Sequence, residues 1–370
     1  MADEGTEAVA LLAELVRIDS VNPGLVPGAA GERRIVDHLR ARLERAGFAA
    51  TVVSAPGHDG RPSLVAVPPG PVDRPTIVLN GHLDTVGVSG MPEPFSARVE
   101  GDRLYGRGAA DMKGGVASLV VAAETLVALG ARVRPVLALV ADEEDASLGS
   151  EAVIAALPEL GIEPAACLIA EPTELALARS VRGFALVEVT LEGRAAHTSQ
   201  AERGVNALSH LGRLLRAVDE RAPAIRDAGG ELIVSVARGG ESPFVVPDRA
   251  ECVVEMRTSP DRASAEALDE VRALLLAEWR AEAELIAHRD GWRLDASGLA
   301  ADLSARLAEC LGTAAPFDAP YWMEAALWQQ VCPTLVCGPG GGGLHAVDEW
   351  ADLGQVRAFT SAVIGVLREP

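Results

Sequence analysis

Four apolar, β-prone runs in this chain each lead within a few residues to an acidic side chain or a histidine. Thr76 to Leu79 leads to Gly81-His82-Leu83-Asp84, Val136 to Val140 leads to Asp142-Glu143-Glu144, Cys167 to Ala170 leads to Glu171, and Thr334 to Val336 leads to a glycine loop and His345. Open α/β sheets bind ligands beyond the carboxyl ends of their strands, so runs that all end this way predict one shared site. Imidazoles and carboxylates together are metal-type donors, and the expected occupant is metal.

The texture around these runs predicts how they are held. Helices are expected from about Thr6 to Ile18, Glu32 to Ala46 and Lys113 to Leu129, with apolar residues three and four apart, among strands at about 50–53, 64–67 and 77–79. This order makes an α/β layer through residue 171. Then the pattern changes: strand 184–191, helix 204–218, strand 232–236, strand 251–257, helix 263–282 and strand 284–287 follow in turn. That βαββαβ order is the ferredoxin-like split arrangement, and it contains none of the strand-end ligands. The expectation is therefore a catalytic metal-binding domain of residues 1–180 and 290–370, with residues 181–289 as an inserted domain. Helices at about 299–311 and 353–367 complete the first domain.

Composition narrows the function classes. A formal net charge of -20 repels nucleic acid and anionic membrane surfaces, so neither is expected as a partner. The N-terminus lacks a charged-then-apolar leader, and no run of roughly 18 apolar residues could span a bilayer, so a cytoplasmic location is expected. Five widely spread cysteines read as reduced thiols, with Cys332 and Cys337 flanking a buried-looking strand. The single lysine, Lys113, reads mainly as coding bias, although its place two residues from Asp111 leaves a local role open.

Taken one at a time, the candidate residues have bland readings. His82-x-Asp84 resembles a surface hydrogen-bonded pair, Asp111 a helix cap, and Glu143-Glu144 a solvated acidic pair. Gly338 to Gly343 lacks the Gly-Lys-Ser/Thr of a phosphate loop and is expected to be a flexible turn presenting His345. Taken together, His82, Asp111, Glu171, His345 and the Glu143-Glu144 pair supply two imidazoles and three carboxylates, enough for two divalent ions sharing a carboxylate, with one glutamate of the pair to spare: either could bind metal while the other accepts a proton.

Gly81 to Val86, Gly106-Arg107-Gly108 leading to Asp111-Met112-Lys113-Gly114-Gly115, Asp142-Glu143-Glu144, Glu171-Pro172-Thr173, Gly193 to His197 and Gly338 to His345 resemble, in this order, the M20 metallopeptidase and deacylase family. The resemblance runs from about Ala8 to Leu367. It implies an α/β, zinc-peptidase-like catalytic domain with a mixed sheet and helices on both faces. The ferredoxin-like insert would then be a lid that pairs into a homodimer. It further implies two divalent metal ions, zinc first with cobalt or manganese as alternatives. His82 and Glu171 would hold one, Glu144 and His345 the other, with Asp111 between them and a cis peptide after it. Glu143 becomes the general base for a metal-activated water, Asp84 orients His82, and His197 reaches the partner subunit's site to stabilise the oxyanion.

Arg257 matches the family arginine that pairs with a substrate carboxylate, for which a guanidinium fork is suited, although a salt bridge across the insert's sheet is an equal reading. Phe244 precedes Val245-Val246-Pro247 where relatives often carry an asparagine that contacts substrate, so an aromatic face replaces a hydrogen bond. Tyr321 to Ala326 occupies a region where relatives line the pocket, and Trp322 there could line it or simply pack. The expected activity is hydrolysis of the amide of an N-acyl amino acid, in the manner of acetylornithine deacetylase. A dipeptidase or carboxypeptidase on the same scaffold is the alternative, and a catalytically inactive dimeric binding protein is the alternative from another class.

Overall fold

The computed structural model describes residues 3–295, 297–312 and 316–368. It contains two compact units, one of Met1–Arg179, Leu294–Phe317 and Leu327–Pro370, the other of Ser180–Arg293 and Asp318–Ala326.

The first unit is built on a six-stranded sheet in the order Ala49–Val53, Ser63–Val67, Arg134–Val140, Thr76–His82, Pro164–Ile169, Thr334–Val336. The first two strands run antiparallel to their neighbours, and the other four are parallel to one another. The parallel four are the four runs singled out in the sequence, so their carboxyl ends open on one edge. Every residue of Thr76–His82 is buried, which explains its continuous apolar reading: a parallel strand covered on both faces has no solvent side.

The helices follow from their apolar spacing. Helix Arg33–Arg45 buries Ile35, Val36, Leu39 and Leu43 on one face while its arginines and Asp37 lie outside that buried set. It stops where Gly47 takes φ +89°, a left-handed conformation that L side chains avoid. Leu39 is fully buried in the main core, and cutting it to alanine would cost about 2–5 kcal/mol. Helix Gly114–Ala128 is buried almost all round, against helices Glu4–Val16 and Leu353–Arg368 in the same core. That wrapping holds the segment just before it, which carries Asp111, in the interior.

The second unit has a four-stranded antiparallel sheet in the order Glu231–Gly239, Arg249–Thr258, Gly183–Glu192, Arg280–Arg289. Strand Gly183–Glu192 alternates, burying Ala185, Val187, Val189 and Leu191 in a core shared with Leu211, Leu214 and Val218 of helix Ala207–Asp227. Asn206 caps that helix through its Oδ1, which accepts from Leu208 N (2.9 Å) and Ser209 N (3.3 Å). Two local expectations fail. The helix expected over 263–282 is only a turn at Ser264–Glu266 and a short helix at Ala267–Arg272, and the strand after it spans Arg280–Arg289. Pairing of Arg280 with Glu192 through to Arg289 with Phe184 overrides the helical propensity of an Ala- and Glu-rich stretch. The helix expected to end near residue 218 continues to Asp227 and carries Pro223 inside it.

Candidate metal centre

His82 is the last residue of its strand and is 1% exposed. Its Nδ1 donates to the Asp84 main-chain oxygen at 3.0 Å, and because a carbonyl only accepts, this contact turns Nε2 outward, 3.0 Å from Asp111 Oδ1. The Asp84 carboxylate lies farther from the ring, at 3.7 Å. It accepts instead from Glu143 N (3.1 Å), Glu144 N (3.2 Å) and Asn22 Nδ2 (2.7 Å). Asp84 thus holds His82 through its backbone and the Glu143-Glu144 turn through its side chain. That turn begins at Asp142, whose φ is 69° and whose Oδ1 accepts from Asn22 (3.1 Å) and pairs with Arg61 (2.6 Å). Arg61 also grips the buried Glu32, so a polar network with one guanidinium underlies the turn.

Asp111 sits in the irregular segment Ala109–Lys113 and is followed by a cis peptide, as the family resemblance implied. Its two oxygens face the two imidazoles: Oδ1 is 3.0 Å from His82 Nε2 and Oδ2 is 3.4 Å from His345 Nε2. His345 Nε2 is also 3.0 Å from Glu144 Oε2. Two groups of possible ligand atoms result, His82 with Glu143 and Glu171, and His82 with Asp111 and Glu144, each within 4.8 Å.

The fields in this cluster call for positive charge. Burial pulls the His82 pKa down, but its bond to Asp111 and the charges of Glu171 and Glu143 outweigh that and hold it well above its ordinary value. His345 is pushed up to about 10 by Asp111 and Glu144. Asp111 is held below the usual carboxylate range, since its bonds to His345 and His82 overcome the cost of burial, whereas burial leaves Glu144 raised. Without a cation, both imidazoles retain protons to balance four neighbouring carboxylates. Divalent ions taking those proton positions suit this donor set. Lys113, fully buried, donates to Ile18 O at 2.9 Å, and burial lowers it to about 8.

His345 has φ 60° and a half-exposed side chain. The glycine run before it is not a flexible turn. Gly341–Gly342 pairs antiparallel with Trp350 and Ala351, and a Cβ on Gly338 would strike the carbonyl oxygens of Ala170 and Glu171. These glycines let the loop press against the Glu171 strand end. Several supporting residues escaped the sequence reading: Asn22, Glu32, Arg61 and Glu349 lie far along the chain from the groups they hold. Arg107 stood in a quoted motif without a role.

The other candidates belong to the second unit. His197 is exposed, and its Nδ1 accepts from Ser199 N at 3.1 Å. His197 also bridges to Val245, next to Phe244, which is 69% exposed. Arg257 Nε donates to Glu255 Oε1 at 2.8 Å, and its guanidinium lies 5.6 Å from the centre of the Phe184 ring. This ion pair runs along one strand, Arg249–Thr258, and not across the sheet as the alternative reading expects, on a side chain that keeps 34% exposure. Trp322 packs edge-on to Phe184 and donates to Asp290 O at 3.0 Å. Among the described residues, no helix is long and apolar enough to cross a membrane. All five cysteines are free, and burial pushes the Cys332 and Cys337 thiols to about 11 and about 12.

A model of the peptidase family M20/M25/M40 matches residues 78–369, a span containing every candidate metal ligand, although the supporting Asn22, Glu32 and Arg61 precede it. The chain belongs to that family. Among curated M20-type relatives, a succinyl-diaminopimelate desuccinylase of Dinoroseobacter shibae is 29% identical over 98% of this chain and 99% of its own length. An acetylornithine deacetylase of Myxococcus xanthus is 32% identical over 70% of this chain and 69% of its own. The M20 fold is shared with solved structures. Aminopeptidase PepT from Bacillus cereus superposes with TM-score 0.81 at 17% identity, covering 98% of both chains. The Bacillus subtilis YXEP protein, described as a dinuclear metal binding peptidase, gives 0.74 at 17% identity, covering 99% of both. This M20 chain is a hydrolase of amide bonds with a cluster of candidate metal ligands.

Proposed function

We propose that the protein is a di-metal amidohydrolase that removes the acyl group from an N-acyl amino acid, with zinc as the first choice of ion. The observation that carries this reading is the Asp111 carboxylate lying between His82 and His345, 3.0 and 3.4 Å from their Nε2 atoms. In this reading His82 and Glu171 would hold one ion and Glu144 and His345 the other, with Asp111 available to both. The ions would supply Lewis acidity toward the amide carbonyl and toward an attacking water.

The remaining work falls to the chain's own groups. Glu143 takes the proton of the attacking water on its carboxylate and returns it to the departing amine. Its backbone N–H is fixed on Asp84 Oδ1, so the turn that carries the base cannot drift. Because Ser199 N donates to His197 Nδ1, the ring's proton sits on Nε2, the tautomer needed to donate to a developing oxyanion. This supports His197 as the oxyanion donor, delivered to the partner subunit of a homodimer by the second unit acting as a lid. Arg257 would receive the substrate carboxylate, and Phe244 would offer an aromatic face beside it.

The names of the curated relatives, a desuccinylase and a deacetylase, support an acyl group over an aminoacyl one. A panel of N-acetyl and N-succinyl amino acids and dipeptides, assayed before and after zinc reconstitution, tests this. Zinc-dependent release of acetate or succinate is expected. Cleavage confined to dipeptides would make the enzyme a peptidase, and no turnover with two ions bound would leave a binding protein.

A further inference from the structure

The two ligands that face each other across the centre, Asp111 and His345, stand on segments with no direct sequence link, and one buried ion pair touches both. Glu349 is 1% exposed and Arg107 2%. Glu349 Oε1 accepts from Ala110 N (3.0 Å) and Asp111 N (3.2 Å), while Oε2 accepts from Gly108 N (3.0 Å) and Arg107 Nη1 (2.6 Å). Arg107 donates onward from Nη2 to Ala346 O (2.9 Å), beside His345, and from Nε to Gly87 O (3.0 Å). Glu349 is itself anchored, because its main-chain oxygen accepts from Gly106 N at 3.1 Å and the following Trp350 pairs with Tyr105.

Ala109–Lys113 is not a regular helix, since Asp111 and Met112 have non-helical backbone angles, and its early N–H groups therefore lack ordinary helical partners. Buried N–H groups need acceptors, and a carboxylate with four donors around it is a fully satisfied one. We propose that Glu349 and Arg107 are positioning residues: they set the separation of Asp111 from His345 in the metal-free protein, so that the bridging geometry exists before an ion arrives. This rests on reading Asp111 and His345 as metal ligands. A residue that orients ligands in this way changes metal affinity about 10–100-fold when removed. Glu349→Gln keeps the size but turns one oxygen into an amide donor that faces Gly108 N and Arg107. Arg107→Lys keeps the charge but cannot reach Glu349, Gly87 and Ala346 at once.

Zinc titration by calorimetry, with zinc content by elemental analysis, is the test. Wild type should take up two ions, and Glu349→Gln should lose at least about tenfold in affinity, concentrated in the ion shared by Asp111, Glu144 and His345. Arg107→Lys should do the same to a smaller degree. A lower melting temperature with unchanged zinc affinity in the folded fraction would be a merely structural role and overturns the inference. Should neither variant fold, site-resolved amide exchange of the zinc-free wild type decides. The N–H groups of Gly108, Ala110 and Asp111 should already be protected, and protection that arises only on adding zinc overturns the inference. A wild type that takes up no zinc overturns the metal reading and this inference with it. Two ions bound equally well by wild type and variants overturn this inference alone.

Discussion

The two units hold their candidate residues in opposite ways. In the first, His82, Asp111, Glu144 and Glu171 are buried or nearly so, and the first three rest on backbone or side-chain partners from other segments, with His345 half-exposed on its loop. In the second, His197 and Arg257 lean on neighbours two residues away, Ser199 and Glu255, and Phe244 is largely exposed. Chemistry that needs donor positions within tenths of an ångström is placed at strand ends, where the sheet fixes the backbone. In the proposed function, the contacts that would choose among substrates sit on side chains that can shift without disturbing a core.

This contrast makes ordered predictions. Exhaustive removal of divalent ions should abolish hydrolysis and zinc should restore it, and full activity in the chelated enzyme would break the first half of the comparison. Next in size, Glu143→Gln should lower kcat at least about a hundredfold while both ions stay bound, because the amide keeps the shape but not the proton affinity. Loss of metal in that variant would make Glu143 a ligand. Glu144→Ala should reverse the pattern, with occupancy falling first.

His197→Ala should lower kcat by about 10²–10³ with ion content unchanged. Mixed with Glu143→Gln after subunit exchange, it should regain activity, since a histidine acting across a dimer leaves one site of each heterodimer intact. Mixtures that exchange yet stay inactive would confine His197 to its own chain. Phe244→Asn is expected to shift the ratio of kcat/KM between acyl amino acids by about tenfold with little change in metal content, a purely recognitional effect.

The smallest effect is on stability of the metal-free protein. His345, folded pKa about 10, and His82 bind protons more tightly folded than unfolded, so their contribution is complete below about pH 6.5 and shrinks as pH rises. Lys113, lowered to about 8, has the opposite sign above that value, so the clean window is pH 6.5 to 8. Across it the melting temperature of the metal-free protein should fall while the increment on adding zinc grows. A melting temperature that rises with pH would mean the imidazoles are not held as described.

Much of the first unit was readable because strand termini leave a mark in sequence: an apolar run stops and His82, Glu143 or Glu171 follows. The supports were not readable in the same way. Glu349 acts by accepting backbone N–H groups of Gly108, Ala110 and Asp111, and backbone groups carry no residue code. The three-residue strands Arg98–Glu100, Arg103–Tyr105 and Trp350–Asp352 are too short for any period to show. In the second unit, the expected strand at 284–287 proves longer, Arg280–Arg289, because its first residues pair with Glu192 and Leu191 across the sheet where local propensity carries the helix on to 282.

The parallel pairing of Cys167 with Thr334 also sets a schedule. These adjacent strands are joined through the whole second unit, so the edge strand that leads to His345 leaves the ribosome after nearly everything else has been made. Contacts this distant in sequence form late, and until they form the strand that leads to Glu171 is an open sheet edge. A nascent or truncated chain ending before Thr334 lacks His345, one of the three ligands proposed for the second ion. Uptake of a second ion would then serve as a proof of length, reporting that the polypeptide has been finished.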